Sequence, residues 1–129
     1  MSKTDWVADV TVVDKPWGSE QHFALVDGRY CGKVLVIRAG QSLSLQYHEL
    51  KDETIAVQSG SITLEIGLST DRLESFNLEP GETVRVRPGT VHRMTAVVDS
   101  LVLEASTTEL HDVIRLEDNY GRAGTTAAH

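Results

Sequence analysis

Apolar and polar residues alternate in short runs along most of the chain. Side chains two apart on a strand share a face, so this period predicts half-buried strands. The runs are His22–Val26, Lys33–Arg38, Ser42–His48, Thr54–Gln58, Ser61–Ile66, Leu73–Leu78, Thr83–Val86, Arg93–Val98, Leu101–Ser106 and Asp112–Leu116. Their spacing, about 8–12 residues, is that of a sandwich or barrel. Helix signals are scarce. Ser59-Gly60 reads as a tight hairpin, and Glu79-Pro80-Gly81-Glu82 and Arg87-Pro88-Gly89-Thr90 as corners with a positive-φ glycine. No linker, repeat or low-complexity block divides the chain. The pattern predicts one all-β domain with loose ends. Residues 1–13 form an N-terminal arm, apolar enough from Trp6 to Val13 to add a strand to a neighbour, and 123–129 a flexible tail.

Composition narrows the class. The 129 residues are 40% apolar and 24% charged, a soluble globular balance. No apolar run approaches the roughly 20 residues of a membrane helix. The formal net charge of −7 repels polyanions, which argues against a nucleic-acid partner. One metal ion or a local Arg/Lys cluster can still reverse the sign inside a pocket. The single Cys31 cannot form an internal bridge, and no signal-like apolar core opens the chain, so a reducing, cytoplasmic setting is expected. Cys31 reads as a small apolar residue rather than a nucleophile.

The candidate chemistry starts at Gln46 and His48, which project to one face of a strand. Glu53 lies across a turn, and His92 follows the Pro88-Gly89 corner. A barrel could bring these four together as imidazole nitrogens, a carboxylate and an amide oxygen. That set suits a divalent transition metal with open positions. A carboxylate pointing inward needs such a cation or a donor to compensate it. Arg93, next to an inward position, is expected on the opposite face unless it turns into the pocket.

The order Gly40, Gln46, His48, Glu53, Gly60, then Gly81, Gly89, His92 resembles the two signature motifs of the cupin superfamily. Within it, the chain is most similar to phosphomannose isomerase-like single cupins. That group includes the C-terminal isomerase domain of bifunctional mannose-1-phosphate guanylyltransferases. Lys15-Pro16-Trp17-Gly18, Leu43–Gln46, Gly89–Arg93 and Arg115–Arg122 support the resemblance, which spans residues 14–122. It implies a double-stranded β-helix, the cupin jelly-roll barrel, with Gln46, His48, Glu53 and His92 as metal ligands. Gln46, where most cupins have His, is usual in this branch. Lys51 replaces a common Arg, Thr54-Ile55 a His-Trp, Arg87 a Pro and Ala96 an Asn.

The resemblance implies a metal-dependent aldose–ketose isomerase acting on a sugar phosphate of the mannose 6-phosphate kind. Zinc is the first choice of metal, with manganese, iron, cobalt or nickel as alternatives. Glu20, Lys33 and Arg93 are the candidate catalytic residues, with His111 a further titratable group. Lys33, Arg93 or Arg122 could pair with a phosphate. Two other classes stay open: a non-haem iron type of oxygenase, and a non-catalytic module that binds a metal and a carbohydrate. The exposed edges of an open sandwich lead us to expect a homodimer.

Overall fold

The computed structural model describes residues 1–124, so positions 125–129 of the expected tail lie outside the described residues. A one-turn helix, α1 (Lys3–Trp6), precedes β1 (Thr11–Lys15), β2 (Gly18–Val26), β3 (Tyr30–Ile37), β4 (Leu45–Tyr47), β5 (Glu53–Ser59) and β6 (Ile62–Gly67). Then follow β7 (Leu73–Leu78), β8 (Thr83–Val86), β9 (Val91–Ala96), β10 (Ser100–Ser106) and β11 (Ile114–Glu117). They form two antiparallel sheets. One runs β1-β2-β3-β10-β5-β8 and the other β11-β4-β9-β6-β7. No helix of the described residues is long and apolar enough to cross a membrane.

The sequence pattern and the observed strands differ in three informative places. β1 takes in the last three residues of the expected 1–13 arm and pairs with β2 of its own chain, with Val13 opposite Glu20. β4 is shorter than the Ser42–His48 run, although Ser42 still bridges Thr95. The Ser59-Gly60 turn is not a hairpin: β5 and β6 lie in different sheets, and Gly60 carries the chain between them. Alternation cannot separate a hairpin from a sheet-crossing corner, because both join two strands that each bury one face. The Pro88-Gly89 corner crosses between sheets too, from β8 to β9, and Thr90 N–H closes it on the Arg87 carbonyl at 3.1 Å.

Between the sheets, the inward positions change character along each strand. On β3 they read Lys33, Leu35, Ile37; on β5 Glu53, Ile55, Val57; on β9 His92, Met94, Ala96; on β10 Glu104, then Val102. The apolar members form the core with Trp17, Leu43, Ile62, Leu64 and Leu78. The ionisable members are stacked at the other end. One interior therefore holds a dry core and a polar chamber, separated by a single step of two residues on each strand.

Gly60 (φ 91°) and Gly40 (φ 78°) both occupy left-handed backbone. A Cβ on Gly60 would collide with Ser100 Oγ and the Asp99 carbonyl, whereas one on Gly40 meets open space. Gly40→Ala is expected to cost about 1 kcal/mol from its backbone alone, and Gly60→Ala roughly 2 kcal/mol or more. Urea unfolding checks this, and equal losses would show that the corner yields.

Candidate metal centre

Glu53, the first residue of β5, points inward and is 5% exposed. Its Oε1 lies 3.2 Å from His48 Nε2 and 3.2 Å from His92 Nε2. The three ligand atoms fall within 4.8 Å of one another, and the imidazole rings are tilted by 51° with centroids 5.2 Å apart. The other ring nitrogen of each histidine faces a backbone carbonyl. His48 Nδ1 is 2.6 Å from the Asp112 oxygen, and His92 Nδ1 is 3.0 Å from that of Thr90. A carbonyl only accepts, so each Nδ1 donates to its carbonyl, and each Nε2 is left facing Glu53. Two Nε2 atoms and a carboxylate oxygen converge on one point, a donor set that fits a metal cation once the Nε2 protons leave. The carbonyl contacts fix tautomer and ring angle, as they do around many bound metals.

The loop between β4 and β5 is wound around Asp112. Its carboxylate accepts the backbone N–H groups of Glu49, Leu50 and Lys51 at 3.0, 2.6 and 2.9 Å. Burial works against that charge, but these three donors hold the Asp112 carboxyl below its usual range. The Pro88-Gly89 corner closes the same end, with Gly89 N–H donating to the His48 carbonyl at 2.7 Å.

Lys51, which the winding turns inward, is 6% exposed, with Nζ 3.3 Å from Glu53 Oε2 and 3.1 Å from Glu104 Oε2. Burial favours its neutral form, yet Glu104 and Glu53 outweigh burial and raise its pKa, so it stays an ammonium. Glu53 is desolvated too, but Lys51 and the two imidazoles hold its carboxyl well below the ordinary range. Glu104 goes the other way: burial and the Glu53 charge push it up against the pull of Lys51 and Lys33. Of the two buried carboxyls, Glu53 is the one whose charged form its surroundings favour, as suits a ligand.

The triad opens into a cavity of about 60 Å³, also lined by Gln46, Lys33, Glu20 and Lys15. Gln46 stands opposite His92 on β4 and β9, so its side chain shares the inner face with the triad. Glu20 Oε1 contacts Lys33 Nζ at 3.2 Å and His22 Nε2 at 2.9 Å, and Lys33 Nζ reaches Glu104 Oε2 at 3.9 Å. Arg93 does not join them. As the neighbour of inward His92 it faces outward, where Nε and Nη2 each donate to Glu65 at 3.0 Å. Its expected catalytic or phosphate-binding part is therefore withdrawn. His111 is an exposed residue outside the cavity lining.

Sequence reasoning missed Glu104 and Asp112 and saw Lys51 only as a departure from a motif. Glu104 shares its face with Val102 and Ser106, a mixed face that alternation does not mark as inward. Of the family departures, Lys51 alone lines the cavity; Ile55 and Ala96 are core, and Thr54 and Arg87 are exposed.

Two facing antiparallel sheets with His, Glu and His converging between them define a cupin. The chain matches the family model of the mannose-6-phosphate isomerase C-terminal domain over residues 3–118 and belongs to that family. Among solved structures it resembles CapF in complex with the inhibitor 3-isopropenyl-tropolone, with a TM-score of 0.77 at 18% identity, covering 92% of this chain and 37% of that one. KdgF from Halomonas sp. gives 0.64 at 22% identity, covering 77% and 84%. The Lactobacillus farciminis oxalate decarboxylase formate complex gives 0.69 at 15%, covering 83% and 33%. The chain thus spans little more than a third of the CapF chain and a third of the decarboxylase chain, and at these identities the likeness is one of fold. No curated protein matches the sequence.

Two predictions follow from this geometry. Elemental analysis of purified protein should find close to one divalent ion per chain, and the His48→Ala/His92→Ala double variant should fall to background; full occupancy in the variant would remove the triad as ligands. The second concerns Glu20, where burial opposes ionisation but Lys33, His22 and Lys15 prevail and bring the carboxyl down to about 2 from 4.5. A depressed carboxyl contributes stability above its unfolded pKa and loses it as pH falls toward the folded one. Unfolding free energy should therefore drop between about pH 4.5 and 2, by on the order of a few kcal/mol, and Glu20→Gln should flatten that limb.

Proposed function

We propose that the protein is a metal-dependent aldose–ketose isomerase acting on a sugar phosphate of the mannose 6-phosphate kind. The reading is carried by a buried His48–Glu53–His92 donor set in a cavity whose lining is cationic on balance. Lys15, Lys33, Lys51, Arg115 and Arg122 stand there against Glu20, Glu53, Glu104 and Asp112. Membership of the mannose-6-phosphate isomerase C-terminal family supports it. A divalent ion at the triad would polarise the sugar carbonyl as a Lewis acid. Around it the chain's own residues set charge and position. Lys51 keeps Glu53 ionised and adds positive potential where enediolate charge develops, in a place where water is largely excluded. Glu20, held at about 2, is a weak proton acceptor near neutral pH, so its part is to fix Lys33 against the cavity wall. This moves Glu20 from the catalytic role expected of it to a positioning one.

A second reading has one observation in its favour: two histidines and one carboxylate also suit Fe(II) and oxygen. The two separate in one set of assays. Metal-replete protein should interconvert mannose 6-phosphate and fructose 6-phosphate, and Glu53→Gln should lower the rate by about 100-fold or more, the loss expected when a metal's charged ligand is removed. No conversion with zinc, manganese, iron, cobalt or nickel would reject the isomerase, and oxygen uptake by the iron-loaded protein would favour the alternative.

A further inference from the structure

The outer faces of the two sheets differ. On the five-stranded sheet the outer face is polar: Arg93 pairs with Glu65 and approaches Glu117 at 3.8 Å, and Thr63 donates to Asn77 at 3.0 Å. The six-stranded sheet is the reverse. Lys33 and Leu35 point inward, so Val34 and Val36 beside them point out, with Leu103 and Leu101 of β10 opposite them. Phe23, at the register shift between β2 and β3, lays its ring over Gly32, where a Cβ would come within 2.6 Å of it. Tyr30 shares that side. Phe23 is 57% and Tyr30 55% exposed, more than an unpartnered apolar face usually shows. We propose that a second copy of the chain docks here, forming a two-fold homodimer through the six-stranded sheet. The interface does not depend on what the metal centre does.

Charge favours a second copy as the occupant. The chain carries a formal −7, and a two-fold contact sets one patch against its own copy, so carboxylates in that patch would face carboxylates. The charged residues of β2, β3, β5 and β10 are Glu20, Lys33, Glu53 and Glu104, and all four line the inner cavity. The outer side of these strands is therefore uncharged, and two acidic molecules can meet there without like-charge repulsion across the contact.

Size and shape agree. Six strands about 4.8 Å apart, with the eight residues of β3 along them, span a face of roughly 25 by 26 Å. With the relief of its side chains, this approaches the ~800 Å² that each partner of a standard interface buries. The face is also shaped to receive itself. Phe23 and Tyr30 project near the start of β3, and near its end a groove of about 260 Å³ opens beside Val36 and Leu101. Tyr30 and Val36 are roughly 20 Å apart along the strand. A two-fold axis crossing the strands midway between them lays the aromatic end of each copy over the groove of the other.

Size-exclusion chromatography with light scattering at micromolar concentration tests the interface. The intact protein should run at twice 14.2 kDa. Leu103→Glu and Ala105→Glu, at exposed positions on one face of β10, and Tyr30→Glu are each checked for folding by thermal melting. Each should raise the dimer dissociation constant about 100-fold or more, because a two-fold contact buries the new carboxylate twice. Ser75→Glu, exposed on β7 of the other sheet, should leave it unchanged. A monomer mass for the intact protein overturns the proposal, as does an unchanged dimer in the folded β10 variants. A dimer that survives those but is lost in Trp6→Ser also overturns it, since the contact then belongs to the N-terminal arm. An unchanged dimer in Tyr30→Glu alone keeps the face and removes the seating of the aromatic end in the groove.

Discussion

Everything at the polar end of the barrel depends on keeping the Glu53 carboxylate charged where water hardly reaches it. An isolated buried charge of this kind costs several kcal/mol, and a carboxyl so placed would ordinarily take up a proton. Lys51 at 3.3 Å prevents that, and it can do so only because the loop before β5 is wound tightly enough to turn it inward. Asp112 does the winding through three backbone donors. The same residue's carbonyl orients His48. Remove any of these supports and the carboxylate loses either its compensation or its histidine partner.

The polar chamber stands on an apolar floor. Because inward positions recur every second residue, Leu35, Ile55, Met94 and Val102 sit one step below Lys33, Glu53, His92 and Glu104 on the same four strands. Packed strands cannot shift one such side chain without shifting the next. The core thus fixes the ligand positions, and stability and site geometry are properties of the same strands. The buried charges are thus carried on strands that are packed along their other inward positions.

Much of the architecture and half of the site could be read in the sequence, for a physical reason. Inward ligands obey the strand period, so Gln46 beside His48, and His92 after a Pro-Gly corner, stand out against it. Lys51 and Asp112 belong to loops, where no period applies, and only the fold shows that they meet from 61 residues apart. Glu104 was hidden because Leu101, Leu103 and Ala105 make the more apolar face of Leu101–Ser106, yet it is Val102 and Glu104 that are buried while Leu103 is 37% exposed. Arg93 shows the converse, since alternation already assigned it outward and Glu65 confirms that assignment. The Gly60 corner was misread because hairpins and sheet crossings use the same turn residues.

The clasp between Asp112 and the loop at 49–51 also ties the site to a distant stretch of chain. His48 meets its orienting carbonyl across 64 positions of chain, one of the longer closures in the fold. The ligands sit on or beside strands, but the residues that orient His48 and turn Lys51 inward come from the segment around 112. Ability to hold a cation therefore reports on the docking of that C-terminal segment as well as on the sheets, and damage there would reach the centre without touching a ligand.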